Sequence, residues 1–103
     1  MAKTEKLPFI PPGEILLEEF IKPMGLTQIR VARDSGIPAS RLTEIIKGRR
    51  SITAETALRL SAYFGTTPRF WLGLQTAHEL EVAQRTYGQR IRSEVNGLVV
   101  AED

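Results

Sequence analysis

The stretch Leu26-Thr-Gln-Ile-Arg-Val-Ala-Arg-Asp-Ser-Gly-Ile-Pro-Ala-Ser-Arg-Leu-Thr-Glu-Ile-Ile-Lys-Gly-Arg-Arg50 decides how the chain folds. Thr27 is placed to cap a short helix over Gln28–Ser35, with Ile29 and Ala32 expected to face inward. Gly36 follows where the chain must leave that helix with positive φ. Pro38 suits the first turn of the next helix, which runs to about Lys47 with Leu42, Ile45 and Ile46 as its buried stripe. Gly48 closes it. The spacing Gln28, Ala32, Gly36, Leu42, Ile45 has a mechanical meaning. A small residue lets two helices cross closely, a glycine turns tightly between them at about 100°, and two aliphatics seat the second helix on a core. These residues predict a helix-turn-helix unit.

Further out, Pro12 opens a first helix in which Ile15, Leu16, Phe20 and Ile21 share a face, ended by Pro23 and Gly25. Thr53 caps a fourth helix, with Thr56 where a capping box would place an acid. Ala57, Leu60, Ser61 and Phe64 form its buried face, and Gly65 stops it. Thr67-Pro68 starts a longer fifth helix containing Phe70, Trp71, Leu74, Leu80 and Ala83, expected to reach Tyr87 or Arg90. The expected organisation is all-α: an extended N-terminal arm (1–11), a five-helix domain (12–92) and a short C-terminal tail (93–103). Val95 and Leu98-Val99-Val100 in that tail are a short strand or loose chain.

Composition narrows the function. The 103 residues suffice for one domain with a workable core, and 42% hydrophobic with 25% charged residues is ordinary for a globular protein. Without cysteine there is no disulfide, thiol nucleophile or cysteine-bound metal. No apolar run approaches the roughly 20 residues of a membrane span, and the polar start lacks a signal-peptide core, so a cytoplasmic location is expected. The net charge of +2 is unevenly spread. Within 27–59, Arg30, Arg33, Arg41, Lys47, Arg49, Arg50 and Arg59 face only Asp34, Glu44 and Glu55, leaving +4, while the flanking thirds are each −1. A positive middle third suits a polyanion-binding element.

The outer face of the second helix of the pair reads Ser40, Thr43, Glu44, Lys47. Ala39, Ser40, Arg41 and Thr43 are the expected DNA base contacts. Hydroxyls can bond base edges, Ala39 can meet a thymine methyl, and Arg41 can reach a guanine with two donors. Glu44 can accept from a cytosine amino group, although pairing with Arg41 or Lys47 is the favoured reading. Thr27, Gln28, Lys47, Arg49 and Arg50 are the expected backbone contacts. An exposed charged helix of an ordinary bundle is the plain alternative, but it leaves the Ala32–Gly36–Leu42 spacing without a reason.

Other groups carry less. His78 is the sole histidine, and neighbouring Glu79 and Glu81 give poor ligand geometry, so no metal or cofactor is expected. No nucleophile–base pair can be assembled, so no catalytic residue is assigned and an enzyme is not expected. Phe70 is expected to cap the core. Trp71 and Leu74 are candidates for either the core or a dimer interface.

The Leu26–Arg50 stretch resembles the phage-repressor-like (XRE/Cro) helix-turn-helix, and three further blocks are similar to HigA antitoxins, also called VapI-like. They are Pro12-Gly-Glu-Ile-Leu-Leu-Glu-Glu-Phe20, Arg49-Arg-Ser-Ile-Thr-Ala-Glu-Thr-Ala-Leu-Arg-Leu60 and Phe64-Gly-Thr-Thr-Pro-Arg-Phe-Trp-Leu-Gly-Leu-Gln75. The resemblance spans about residues 11 to 84. His78-Glu79 departs from the family's aromatic-acidic pair, which touches packing rather than DNA contact. The resemblance implies a homodimer that binds a palindromic operator in double-stranded DNA, represses its own operon and neutralises a HigB-type mRNA endonuclease toxin. A stand-alone regulator, or an interaction module that has lost DNA binding, remains open at this point.

Overall fold

The computed structural model describes residues 10–99. Pro11 is extended and Pro12 takes the first helical position of α1 (Pro12–Ile15), which passes without interruption into a π-helical segment (Leu16–Ile21). The amide of Lys22 donates to the Leu17 carbonyl at 3.0 Å, a step of five residues. That wider turn lets Leu16 and Ile21, also five apart, both enter the core. The π register is not legible in the sequence, because the apolar face fits a 3.6-residue period nearly as well. Gly25, at φ 67°, ends the segment.

The central pair forms as its local signals require. α2 (Gln28–Ser35) is capped by Thr27, whose Oγ1 accepts from the Arg30 amide at 3.1 Å. Gly36 turns the chain at φ 76°, a conformation that costs a glycine nothing. α3 (Ala39–Ile46) begins one residue after Pro38 and buries Leu42 and Ile45. Its end is closed by the Arg49 amide donating to the Glu44 carbonyl at 2.8 Å, with Gly48 in the left-handed region. In α2 the inward residues are Val31 and Ala32. The expectation for Ile29 is corrected, since it is 73% exposed. Two positions on a helix are 200° apart, so burying Val31 turns Ile29 outward.

α4 (Ala54–Phe64) starts at Thr53, whose Oγ1 accepts from the Thr56 amide and donates to the Thr56 hydroxyl, both at 3.3 Å. It buries Thr56, Ala57, Leu60 and Ser61, with Phe64 half-buried. α5 (Pro68–Glu94) is capped by Thr67 and runs to Glu94, further than either expected end. At 1.5 Å per residue its 27 residues span about 40 Å, and the molecule is correspondingly elongated, 60 × 32 × 23 Å. From Gln84 to Glu94 every residue but Gly88 is exposed, so the distal part projects beyond the core. Val95 to Val99 form no strand. Val100 and the rest of the tail, like residues 1–9 of the arm, lie outside the described residues.

Leu16, Val31, Leu42, Ile45, Leu60 and Trp71 form the centre of the core, drawing on all five helices. Trp71 is fully buried, its indole Nε1 donating to Thr66 Oγ1 at 2.7 Å and its ring 4.9 Å from both Phe20 and Phe70. Its candidacy for a dimer interface is therefore corrected, because a side chain with no exposed surface cannot meet a second molecule. Leu74 is half-buried against the same core, and Phe70 covers it while staying 39% exposed.

Candidate nucleic-acid interface

α3 is held from behind. Leu42 and Ile45 fix it to the core, and Gly13 of α1 packs directly on its backbone: a Cβ on Gly13 would fall on the Ile45 carbonyl and lie 2.7 Å from the Ile46 Cα. The side away from the core is open. Ala39, Ser40 and Lys47 are exposed, and Thr43 and Glu44 are partly so. Helical spacing sets Ser40, Thr43, Glu44 and Lys47 on one face. Among the described residues Ser40, Thr43 and Lys47 make no side-chain hydrogen bond or ion pair.

The charges sort into paired and unpaired sets. Arg30 and Arg33 reach Asp34 at 3.3 and 3.4 Å, and Tyr63 donates its hydroxyl to the same carboxylate at 3.3 Å. Partial desolvation would raise the Asp34 pKa, but these three donors outweigh it and hold the group below its ordinary value. Arg41 and Arg59 both grip Glu55 at 3.1 Å, the bond and the charge of Arg59 contributing most to a lowered pKa there, ahead of the Arg41 bond. Glu44 lies 4.0 Å from Arg49, so the expected pairing with Arg41 or Lys47 is corrected. The Schellman-type closure brings Arg49 back over Glu44, while Arg41 sits on the α4 side of its helix. Lys47 and Arg50 have no acidic partner among the described residues. Lys47, Arg49 and Arg50 thus group three basic side chains at the C-terminal end of α3 and in the loop after it.

That loop is anchored by residues that sequence reasoning missed. The Ile52 amide donates to Gln75 Oε1 at 2.8 Å, Gln75 Nε2 donates to Glu79 at 2.8 Å, and the Ser51 hydroxyl donates to Glu79 at 3.3 Å. Ile52 itself is buried. The loop bearing Arg49 and Arg50 is thus tied to α5. In the sequence Glu79 stands out as a neighbour of His78 and as part of the departure from the family's aromatic-acidic pair, neither of which points to the loop. At the other end of the motif Thr27 is exposed and Gln28 half-buried at the first position of α2, where unpaired amides favour an anion. Among the described residues no group of three or more His, Cys, Asp or Glu is placed to hold a metal. No described helix is long and apolar enough to cross a membrane.

Two crossing helices joined at a left-handed glycine, the second presenting a polar outer face, define a helix-turn-helix protein. The helix-turn-helix family model matches residues 17–71. Antitoxin HigA-1 of Vibrio cholerae is 35% identical over 92 residues, covering 89% of this chain and 86% of that protein. The solved addiction-module antidote protein of the HigA family from Coxiella burnetii has a TM-score of 0.84 and 44% identity, covering 89% of this chain and all of the other. Pseudomonas aeruginosa antitoxin HigA, solved with the higBA promoter, has a TM-score of 0.85 and 34% identity, covering 89% and 100%. The chain belongs to the HigA antitoxin family of helix-turn-helix proteins.

Proposed function

We propose that this protein docks α3 in the major groove of a palindromic operator as a homodimer, represses its own operon and neutralises a HigB-type mRNA endonuclease toxin. The observation that carries the DNA-binding reading is the division of labour on α3: its inner side is consumed by Leu42 and Ile45, while Ser40, Thr43 and Lys47 face outward without side-chain partners among the described residues. Polar side chains left unengaged on a rigidly seated helix are what direct readout requires. The P. aeruginosa relative solved with a promoter supports the same reading.

In this reading Ala39, Ser40 and Thr43 meet base edges, with Arg41 at their flank. Thr27, Gln28, Lys47, Arg49 and Arg50 position the protein on phosphates. The two-fold partner packs along the projecting part of α5, and half-sites lie about 34 Å apart. The protein acts in the cytoplasm, without a cofactor or catalytic group. The toxin role rests on the HigA relatives.

Binding of the purified protein to its own promoter fragment and to scrambled DNA, at two salt concentrations, tests the DNA role. Discriminating, salt-sensitive binding with two protomers per duplex is expected. Equal binding to both duplexes overturns it. Copurification with the product of a small basic reading frame beside its gene tests the toxin role, and separate elution of the two proteins refutes it.

A further inference from the structure

Arg41, Glu55, Arg59 and the Ser35 carbonyl form a chain of contacts that crosses every junction of the motif. Arg41 Nη1 donates to Glu55 Oε1 at 3.1 Å, Arg59 Nε donates to Glu55 Oε2 at 3.1 Å, and Arg59 Nη1 donates to the Ser35 carbonyl at 3.3 Å. Ser35 ends α2, Arg41 lies in the first turn of α3, and Glu55 in the first turn of α4. The Arg59 guanidinium also lies over the turn, where a Cβ on Gly36 would come within 2.6 Å of its Nη1.

The two arginines are not equivalent. Arg59 spends Nε and Nη1 on partners within the protein, so it is the anchor. Arg41 is held by Nη1 alone, and its Nε and Nη2 make no hydrogen bond among the described residues. It stands about 100° round α3 from Ser40, at the edge of the outward face. A free arginine gives up rotamer freedom when it docks; one already held in place has lost that freedom beforehand. Exposed ion pairs of this kind add little to folding stability. Both guanidiniums, that of Arg59 foremost, hold the Glu55 carboxyl below its ordinary pKa.

We propose that Glu55 is a positioning residue for DNA docking, which presents the Arg41 guanidinium in a fixed orientation to an acceptor oxygen of the duplex. The assignment rests on the DNA-binding reading above and deepens it. Three full-length variants test it: Glu55→Gln, Arg41→Ala and both together, each measured against the protein's own promoter duplex and a scrambled duplex, with melting temperature in parallel. Glu55→Gln is expected to weaken promoter binding about three- to tenfold and to narrow the promoter-to-scrambled ratio, with melting nearly unchanged. In the Arg41→Ala background it should have no further effect. Tighter binding of Glu55→Gln to both duplexes overturns the proposal, because Glu55 would then be a charge that repels phosphate. An equal loss in the Arg41→Ala background, or a large fall in melting temperature with parallel loss on both duplexes, also overturns it. If the unmodified protein fails to discriminate the duplexes, the DNA-binding reading itself falls, before any variant is compared.

Discussion

Gly13 lies against the backbone of Ile45 so closely that no side chain can stand between α1 and the recognition helix. The obstacle is backbone, which cannot rotate aside as a side chain would. Gly13→Ala should therefore push α1 off α3, costing at least the roughly 1–3 kcal/mol typical of overpacking. Thermal melting checks the cost, and DNA affinity should fall with it because α3 loses its rear support. An unchanged melting temperature would mean that α1 does not seat α3 in solution.

Trp71 Nε1 donates to the Thr66 hydroxyl at 2.7 Å, its one partner among the described residues. Thr66→Val preserves the shape but leaves the buried N–H without an acceptor, at a cost of about 1–3 kcal/mol. Urea denaturation measures it. A neutral result would show that water reaches the indole.

How far the sequence could be read follows from the range of each interaction. Thr27 and Thr53 are legible as caps, Thr67-Pro68 as a helix start, and Gly36, Gly48 and Gly65 as stops, because each acts within four residues of its own position. Gly13 was not, since its reason is a helix more than thirty residues away in sequence. Glu55 as the partner of Arg41 was equally hidden, at a separation of 14. The nearer Glu44 competed for the assignment, and only the packing of α4 beside α3 decides it. The recognition face was readable because it is defined by what the core leaves out.

Lys47 is exposed at the C-terminal end of α3 with no acidic neighbour to satisfy it among the described residues. Lys47→Ala should weaken promoter and scrambled DNA alike and flatten the log-affinity against log-salt slope by about one. Titrations at several salt concentrations supply the slope. A loss confined to the promoter would move Lys47 to the base-reading group.

Asp34 and Glu55 both have carboxyls held below their ordinary values of 3.8 and 4.5 by arginine partners, with Tyr63 assisting at Asp34. A lowered folded-state pKa stabilises the protein above the unfolded value and loses that stabilisation as pH falls through the folded one. Melting temperature should thus decline on acidification below about pH 4.5 and continue to decline below the ordinary Asp value. The Asp34→Asn, Glu55→Gln double variant should show a shallower profile over that window. Identical profiles would assign acid sensitivity to other carboxylates.

The projecting part of α5 poses a problem of stability that the proposed second copy would resolve. A helical end of this length with no tertiary cover is marginal by itself, yet Tyr87 and Ile91 stand exposed along it at 45% and 48%, and Leu80 just before it at 56%. Along α5 Glu79 and Glu81 precede Arg85, Arg90 and Arg92, with Glu94 at the end beside Arg90. Laid antiparallel about a two-fold axis, two such helices bring the glutamates of one toward the arginines of the other. Leu80→Glu with Ile91→Glu should weaken self-association by at least about 2 kcal/mol, roughly thirtyfold, visible as monomers in sedimentation at micromolar concentration. Operator affinity should drop in step, while the protomer keeps its fold because neither side chain belongs to the core. Trp71→Ala provides the contrast. It empties the centre of the core, so any loss of dimer there should follow loss of structure. A doubly substituted protein that remains dimeric would place the two-fold contact elsewhere.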